Sequence, residues 1–245
     1  MFQIFIKKKF LIDYLNGFID IHNHILPGID DGAKTVNDSI QLIKEFSEIG
    51  IEKFIATPHI MDTYYPNTPD TINSSLTLVQ NELKKQNLNQ IQISAAAEHM
   101  IDSNFEDILE KGLIMPLNKN YILVEMSYLQ PSINFNSAIQ KIGSKRYFPI
   151  LAHPERYTYL HKTNKYSTYK QNGILFQLNL LSLSNYYGKD VFAMGQKLLD
   201  KNMIDFIGSD IHNMNQMNQL KSIKLSNKAI NQLLPIIEKT IYSFN

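Results

Sequence analysis

His22 and His24 stand two residues apart at the C-terminal end of a short apolar stretch, Phe18-Ile-Asp-Ile-His-Asn-His24. Side chains of an extended strand alternate with a period of two, so both imidazoles project on one face, where they can share a metal ion. An isolated His-x-His decides little, because such pairs also arise by chance in surface strands. Downstream, however, His59, Glu98, Glu125, His153 and the pair Asp210 and His212 each follow a similar short apolar run. Six of the seven histidines lie at such positions, His161 being the exception. His99 is the sixth; it follows Glu98 and is expected on the opposite face, which leaves five in the candidate set. A single polar residue at a strand end usually caps the next helix or bonds to backbone. Five imidazoles and several carboxylates around one mouth are costly to desolvate without cations among them.

The donor types restrict the metal. Mixed His, Asp and Glu without sulfur suits Mn²⁺, Fe²⁺, Zn²⁺ or Co²⁺ and is too rich in nitrogen for Ca²⁺ or Mg²⁺. Eight or nine such residues are too many for one ion, so two or three divalent ions bridged by a carboxylate are expected. Clusters of this kind activate water and clamp both oxygens of an in-line displacement at phosphorus.

Those residues need elements to position them. Seven apolar runs read as strands, at 18–22, 53–57, 91–96, 121–124, 148–152, 174–178 and 204–208. Helical periodicity appears at 38–50, 69–87, 104–112, 132–145, 163–172, 188–202 and 224–243, with Gly50, Gly112 and Gly173 as C-terminal stops. The Asn- and Met-rich stretch 213–219 reads as loop, and Leu26-Pro-Gly-Ile-Asp-Asp-Gly32 as a turn-rich connection. Strands alternating with helices, and no hairpins, predict parallel pairing through right-handed crossovers. An open sheet would spread the candidate residues along an edge. A β/α barrel gathers strand ends around its axis, so the expected fold is α/β, a (β/α)7 TIM-like barrel. No Gly-x-Gly-x-x-Gly follows a strand, which leaves dinucleotide binding without support.

Composition narrows the function classes. The 245 residues carry a formal net charge of +1, without the basic footprint of a nucleic-acid binder. There is no cysteine, which excludes disulfides, thiolate metal sites and cysteine-nucleophile chemistry. Residues 1–17 are basic and apolar but lack an uninterrupted signal-peptide core, and no run is long enough to span a membrane. They are expected to form an arm that packs on the domain, meets a partner or touches a membrane surface; residues 18–245 are expected to form one barrel domain. The expected location is cytoplasmic, peripheral at the inner membrane if the arm or a partner holds the protein there.

The motifs Ile-Asp-Ile-His-Asn-His, Asp-Asp-Gly, Thr-Pro-His, Ala-Glu-His, Leu-Val-Glu-Met-Ser, Leu-Ala-His-Pro-Glu-Arg-Tyr and Gly-Ser-Asp-Ile-His-Asn occur in this order between about residues 18 and 213. Together they resemble the polymerase and histidinol phosphatase (PHP) superfamily, and within it the bacterial metal-dependent tyrosine phosphatases of capsule and exopolysaccharide operons. The resemblance implies a distorted seven-stranded β/α barrel. It assigns His22, His24, Glu98 and Asp210 to one ion, Glu98, Glu125 and His153 to a second, and Asp31, His59 and His212 to a third. Asp30 is the alternative to Asp31. Mn²⁺ leads among the metals, with Fe, Zn or Co as alternatives. Arg156 matches the arginine that grips the substrate phosphate, a role suited to a planar guanidinium, the bland reading being a helix-surface salt bridge. Asp210 and His212 are secondary candidates for proton transfer. His99 and the Asn-Met-Asn-Gln run after His212 match no position of the family pattern.

The implied activity is hydrolysis of protein phosphotyrosine by a metal-activated hydroxide. The implied partner is the Tyr-rich tail of a membrane tyrosine kinase governing polysaccharide export. Three rivals remain at this point: a small-molecule phosphomonoesterase such as a histidinol phosphatase, a metal-dependent nuclease, and a non-catalytic barrel. Balanced charge weighs against the nuclease, and intact ligand positions weigh against the non-catalytic barrel.

Overall fold

The computed structural model describes residues 8–118 and 120–245. Its strands are β1 (Lys9–Phe10), β2 (Ile19–Asp20), β3 (Lys53–Ala56), β4 (His59–Ile60), β5 (Gln92–Ala95), β6 (Glu98–Met100), β7 (Tyr121–Glu125), β8 (Phe148–Ala152), β9 (Leu175–Asn179), β10 (Phe206–Gly208) and β11 (Lys224–Leu225). The helices are α1 (Val36–Glu48), α2 (Pro69–Lys85), α3 (Phe105–Glu110), α4 (Phe135–Ser144), α5 (Lys165–Gln171), α6 (Lys189–Asp200), α7 (Met214–Ser222) and α8 (Asn227–Phe244).

All seven expected strands are present, and two resume beyond their expected ends. The second, β3, resumes as β4 after a break at Thr57-Pro58, and the third, β5, resumes as β6 after a break at Ala96-Ala97. Pro58 has no N–H to offer a ladder, which accounts for the first break. The pieces fall into two parallel sheets, β2-β3-β5 and β10-β9-β8-β7-β6-β4. The first and last strands then meet: Asn23 bridges Ile211, and the Asp210 N–H donates to the His22 carbonyl at 2.6 Å. Buried Asp20 reinforces this seam by accepting from the Ser209 N–H at 2.9 Å and the Ser209 hydroxyl at 2.6 Å. The result is a distorted seven-stranded β/α barrel.

Strand alternation builds two apolar layers. Phe54, Ala56, Ile122, Val124, Leu151, Phe176, Leu178 and Ile207 face helix residues such as Ile43, Phe46 and Val79 in the larger core. Ile19, Ile21, Ile55, Ala96, Leu123, Ile150, Ala152 and Phe206 form the smaller core inside the barrel, closed by Phe244 at the end of α8. Following the inward phase upward leads from Ile55 to His59, from Ala96 to Glu98, from Leu123 to Glu125 and from Phe206 to Asp210. On these strands the barrel floor is therefore apolar and the mouth polar on the same stripes, whereas His22 and His24 stand out of phase with the inward Ile19 and Ile21.

Capping accounts for the helix starts. Thr35 with Asp38, and Thr68 with Thr71, form capping boxes at α1 and α2. The stretch 213–219, expected as loop, is instead the start of α7. Asn213 caps it by accepting from the Gln216 N–H at 3.1 Å, while Met217 and Leu220 bury at helical spacing. Residues 1–7 of the expected N-terminal arm lie outside the described residues. The remainder packs on the barrel: β1 pairs antiparallel with β11, and Leu11 and Leu15 are fully buried. No helix among the described residues is long and apolar enough to cross a membrane.

Candidate metal centre

Three groups of side chains converge at the mouth. Donor atoms of His22, His24, Glu98 and Asp210 lie within 4.8 Å of one another, as do those of His24, Asp31, His59 and His212, and those of His59, Glu98 and Glu125. The first group is the expected one. The third differs from expectation, since His59 rather than His153 completes it. His153 nevertheless reaches the same carboxylate, with Nε2 3.0 Å from Glu98 Oε1. Glu98 is thus the hub, its other oxygen lying 3.2 Å from both His22 Nε2 and His59 Nδ1.

The outer hydrogen bonds decide which nitrogen faces inward. His22 Nδ1 lies 2.7 Å from Gln177 Oε1, and His24 Nδ1 lies 2.8 Å from Asp30 Oδ2. Each oxygen accepts the Nδ1–H and so turns the Nε2 lone pair toward the centre, the usual support for a metal-binding histidine. His212 follows the same scheme, its Nδ1 lying 2.9 Å from the Asp210 carbonyl. Asp30 is fully engaged, also accepting from the Gly32 N–H at 2.8 Å and the His59 N–H at 3.2 Å. Asp31 is half-exposed, and its Oδ1 lies 3.4 Å from His212 Nε2 and 3.5 Å from His59 Nε2.

Several centre-facing atoms have no hydrogen-bond partner although they are buried: Nε2 of His22 and His24, Nδ1 of His59, Oε2 of Glu98 and Oε1 of Glu125. Lone pairs held close together in this way repel unless positive charge lies between them. The residues therefore fit divalent cations. Without ions, protons take that place. Burial opposes charge on His59, but Glu125 and Glu98 beside it raise its pKa to about 9. Burial also opposes charge on His22, yet Glu98 and Asp210 push its pKa up. Burial disfavours the Glu98 and Asp210 carboxylates, but the neighbouring imidazoles, His22 first, hold both well below the usual carboxylate range.

Local backbone geometry aims two of these residues. His153 follows the inward-facing Ala152 and is out of phase with the stripe, but a left-handed φ of 34° turns it back into the mouth. Asp210 has a φ of 53°. Such conformations cost a non-glycine residue about 1–3 kcal/mol and persist only where the surroundings enforce them. Close packing makes two glycines obligatory. A Cβ on Gly32 would sit 2.0 Å from the His24 carbonyl oxygen, and one on Gly208 would sit 2.6 Å from His22 Cβ.

Arg156 lies on the short 3₁₀ turn Pro154–Arg156 and lines the same cavity, rather than a helix surface. Its guanidinium is held between the Tyr128 and Tyr187 rings, 4.6 and 4.1 Å from their centroids. It donates to Asp210 Oδ2 at 2.6 Å, and Asn179 donates to the same oxygen at 2.7 Å. Only Oδ1 of Asp210 remains for the histidines, 3.3 Å from the Nε2 atoms of His22 and His24. The family pattern gave His99 no place, and here it is a neutral structural residue. Its ring lies outside the cluster, Nδ1 donating to the Leu123 carbonyl at 3.1 Å and Nε2 accepting from the Met115 N–H at 3.3 Å. Burial pushes its pKa down to about 4.

The sequence reading missed Gln177, Asn179, Asp20, Tyr128 and Tyr187. Gln177 and Asn179 carried a signal, being polar residues at alternate positions of an otherwise apolar strand. The two tyrosines carried none, because they come from separate loops.

A family model for capsular polysaccharide synthesis, CpsB/CapC, matches residues 18–232. The chain is 31% identical over 202 residues to the tyrosine-protein phosphatase YwqE of Bacillus subtilis (strain 168), covering 82% of this chain and 79% of that protein. It is 29% identical over 200 residues to the putative tyrosine-protein phosphatase CapC of Staphylococcus aureus, covering 80% and 77%. Among solved structures it matches one reported for YwqE from B. subtilis and CpsB from Streptococcus pneumoniae, metal-dependent tyrosine phosphatases. That match has a TM-score of 0.77 at 29% identity and covers 92% of this chain and 90% of the other.

Proposed function

The chain belongs to the CpsB/CapC family of capsular polysaccharide synthesis, and from that premise we propose that it is a metal-dependent protein-tyrosine phosphatase. The observation that carries this reading is the set of buried, unpartnered imidazole and carboxylate atoms converging on Glu98. His22, His24, Glu98 and Asp210 would hold one divalent ion. Glu98 and Glu125, with His59 or His153, would hold a second. Asp31, His59 and His212 would hold a third, Asp30 serving instead to orient His24. Mn²⁺ is the first choice by resemblance to the family, and Fe, Zn or Co suit the same mixed His, Asp and Glu donors. When bound, such ions supply Lewis acidity and lower the pKa of water toward neutrality.

The chain's own groups do the rest. Gln177 and Asp30 fix two histidine tautomers, and Asn179 with Arg156 fixes Asp210. Arg156 spends one N–H on Asp210 and presents the rest of its fork to a phosphoryl group, whose developing charge it balances. Asp210 and His212 assist proton transfer only at the margin, because a ligand is not a free acid or base.

The cavity at the mouth is about 1140 Å³ and reaches the surface loops, which favours a protein segment over a small metabolite. Within this reading the substrate is the phosphorylated Tyr-rich tail of a bacterial membrane tyrosine kinase. Residues 18–245 act as one catalytic domain in the cytoplasm, brought to the inner membrane by that partner. The test is metal analysis of the purified protein alongside phosphotyrosine-peptide turnover. Stoichiometric metal with chelator-sensitive turnover is expected; full turnover in metal-free protein refutes the reading.

A further inference from the structure

Two surface loops beside the centre expose large apolar side chains. Tyr64 is 77% exposed, Leu129 91% and Ile133 102%, and all three line the cavity that contains Arg156, His153 and Asp210. Both loops are fastened. Met61 and Tyr65 exchange backbone hydrogen bonds at 2.9 and 3.0 Å across the turn that carries Tyr64, and the Asp62 N–H donates to Asp102 at 2.7 Å. In the second loop the Ser127 carbonyl accepts from the Tyr159 hydroxyl at 2.9 Å, and Asn134 donates to the Asp102 carbonyl at 2.9 Å. Apolar side chains held outward on ordered loops around a reactive cavity mark a binding surface.

Three observations identify the occupant. The surface is continuous with the candidate centre, so whatever lies on it is attached to the group that reacts. The cavity exceeds the roughly 300–1,000 Å³ that a whole small ligand fills, so a single phosphotyrosyl side chain leaves room for its neighbours. The carboxylates that line it outside the candidate metal groups are Asp62 and Asp102, while its arginine is already bonded to Asp210. Acidic neighbours are therefore repelled and apolar ones covered.

We propose that Tyr64, Leu129 and Ile133 form a docking rim for the residues flanking the phosphotyrosine, selecting aliphatic or aromatic neighbours and rejecting acidic ones. The proposal rests on the phosphatase reading above and adds a determinant of substrate choice to it.

The test compares metal-loaded wild type with the double variant Leu129→Ser/Ile133→Ser, whose side chains are exposed and outside the catalytic machinery. The substrates are p-nitrophenyl phosphate and three phosphotyrosine peptides of equal length with Leu/Tyr, Gly/Ser or Asp/Glu flanks. Wild type should prefer the apolar peptide. The double variant should lose roughly tenfold in kcat/KM on that peptide, through KM, with p-nitrophenyl phosphate unchanged. Ile133→Lys should raise turnover of the acidic peptide by roughly two- to fivefold. Equal rates on all three peptides, or equal losses on peptide and p-nitrophenyl phosphate, overturn the rim while leaving the phosphatase reading standing. A change of oligomeric state with unaltered peptide kinetics also overturns it, since the rim would then join copies of the chain. Absence of turnover on every substrate by metal-loaded wild type instead refutes the phosphatase reading, and the rim proposal falls with it.

Discussion

Replacing Arg156 separates phosphate binding from assembly of the centre. In Arg156→Ala the guanidinium leaves both Asp210 Oδ2 and the space between Tyr128 and Tyr187. Asp210 keeps the 2.7 Å bond from Asn179 on that oxygen and the two histidines facing the other, so its orientation largely survives. Removing an outer partner typically weakens metal affinity by about 10–100-fold, which saturating metal offsets. Loss of a charged donor to the transition-state phosphoryl group is not offset in that way. It costs about 3 kcal/mol, or roughly a hundredfold in rate. Arg156→Lys keeps the charge but not the planar fork or its stacking, so it should recover only part of the loss. Asn179→Ala is the control, since it removes a bond to Asp210 without touching a phosphate donor. The assay is hydrolysis of a phosphotyrosine peptide at limiting and saturating Mn²⁺, with metal stoichiometry measured for each protein. Arg156→Ala should remain about a hundredfold slow at saturating metal with its ions bound, while Asn179→Ala recovers. Full recovery of Arg156→Ala by metal would reduce Arg156 to a support for Asp210 and refute the phosphate-binding role.

Chelation should abolish turnover and Mn²⁺ restore it, while thiol alkylation has no effect on a chain without cysteine; enzyme assays before and after dialysis check this. Glu98→Gln should lower both metal content and rate, because an amide is a poor anionic bridge, and elemental analysis with full occupancy would refute its place as hub. His99→Ala should retain metal but lose about 1–3 kcal/mol of stability, since the Met115 N–H and Leu123 carbonyl lose a buried partner; denaturant unfolding measures it. Asp30→Asn should weaken metal affinity by about 10–100-fold by loosening the His24 tautomer, which competition with a chelator reads directly.

The barrel and most of its mouth were legible because strand alternation writes them into the chain. Ile55, Ala96, Leu123 and Phe206 are inward-facing, and His59, Glu98, Glu125 and Asp210 continue their phase. His153 sits out of phase, and only a left-handed backbone brings it round, which no periodicity reveals. The choice between Asp30 and Asp31 depended on the turn around Gly32, where close backbone approach fixes one aspartate under His24 and leaves the other half-exposed. Helix α7 was obscured because its Asn- and Met-rich start resembles loop composition, and burial of Met217 and Leu220 becomes visible only against the rest of the fold. Tyr128 and Tyr187 meet around Arg156 from distant segments, a juxtaposition that exists only in three dimensions.

The seam between the first and last strands sets when the centre can exist. Asp20 and Ser209 are 189 positions apart, and the groups around Glu98 draw on both edges of that seam. Contacts of such long range form late, after much of the loop-closure entropy has been lost. During synthesis the early histidines leave the ribosome well before Asp210 and His212, so His22 and His24 wait without their partners. Loading of the first group with metal would therefore be coupled to the pairing of the first and last strands. The rate of metal capture by a refolding chain would report that closing step rather than the collapse of the strands that precede it.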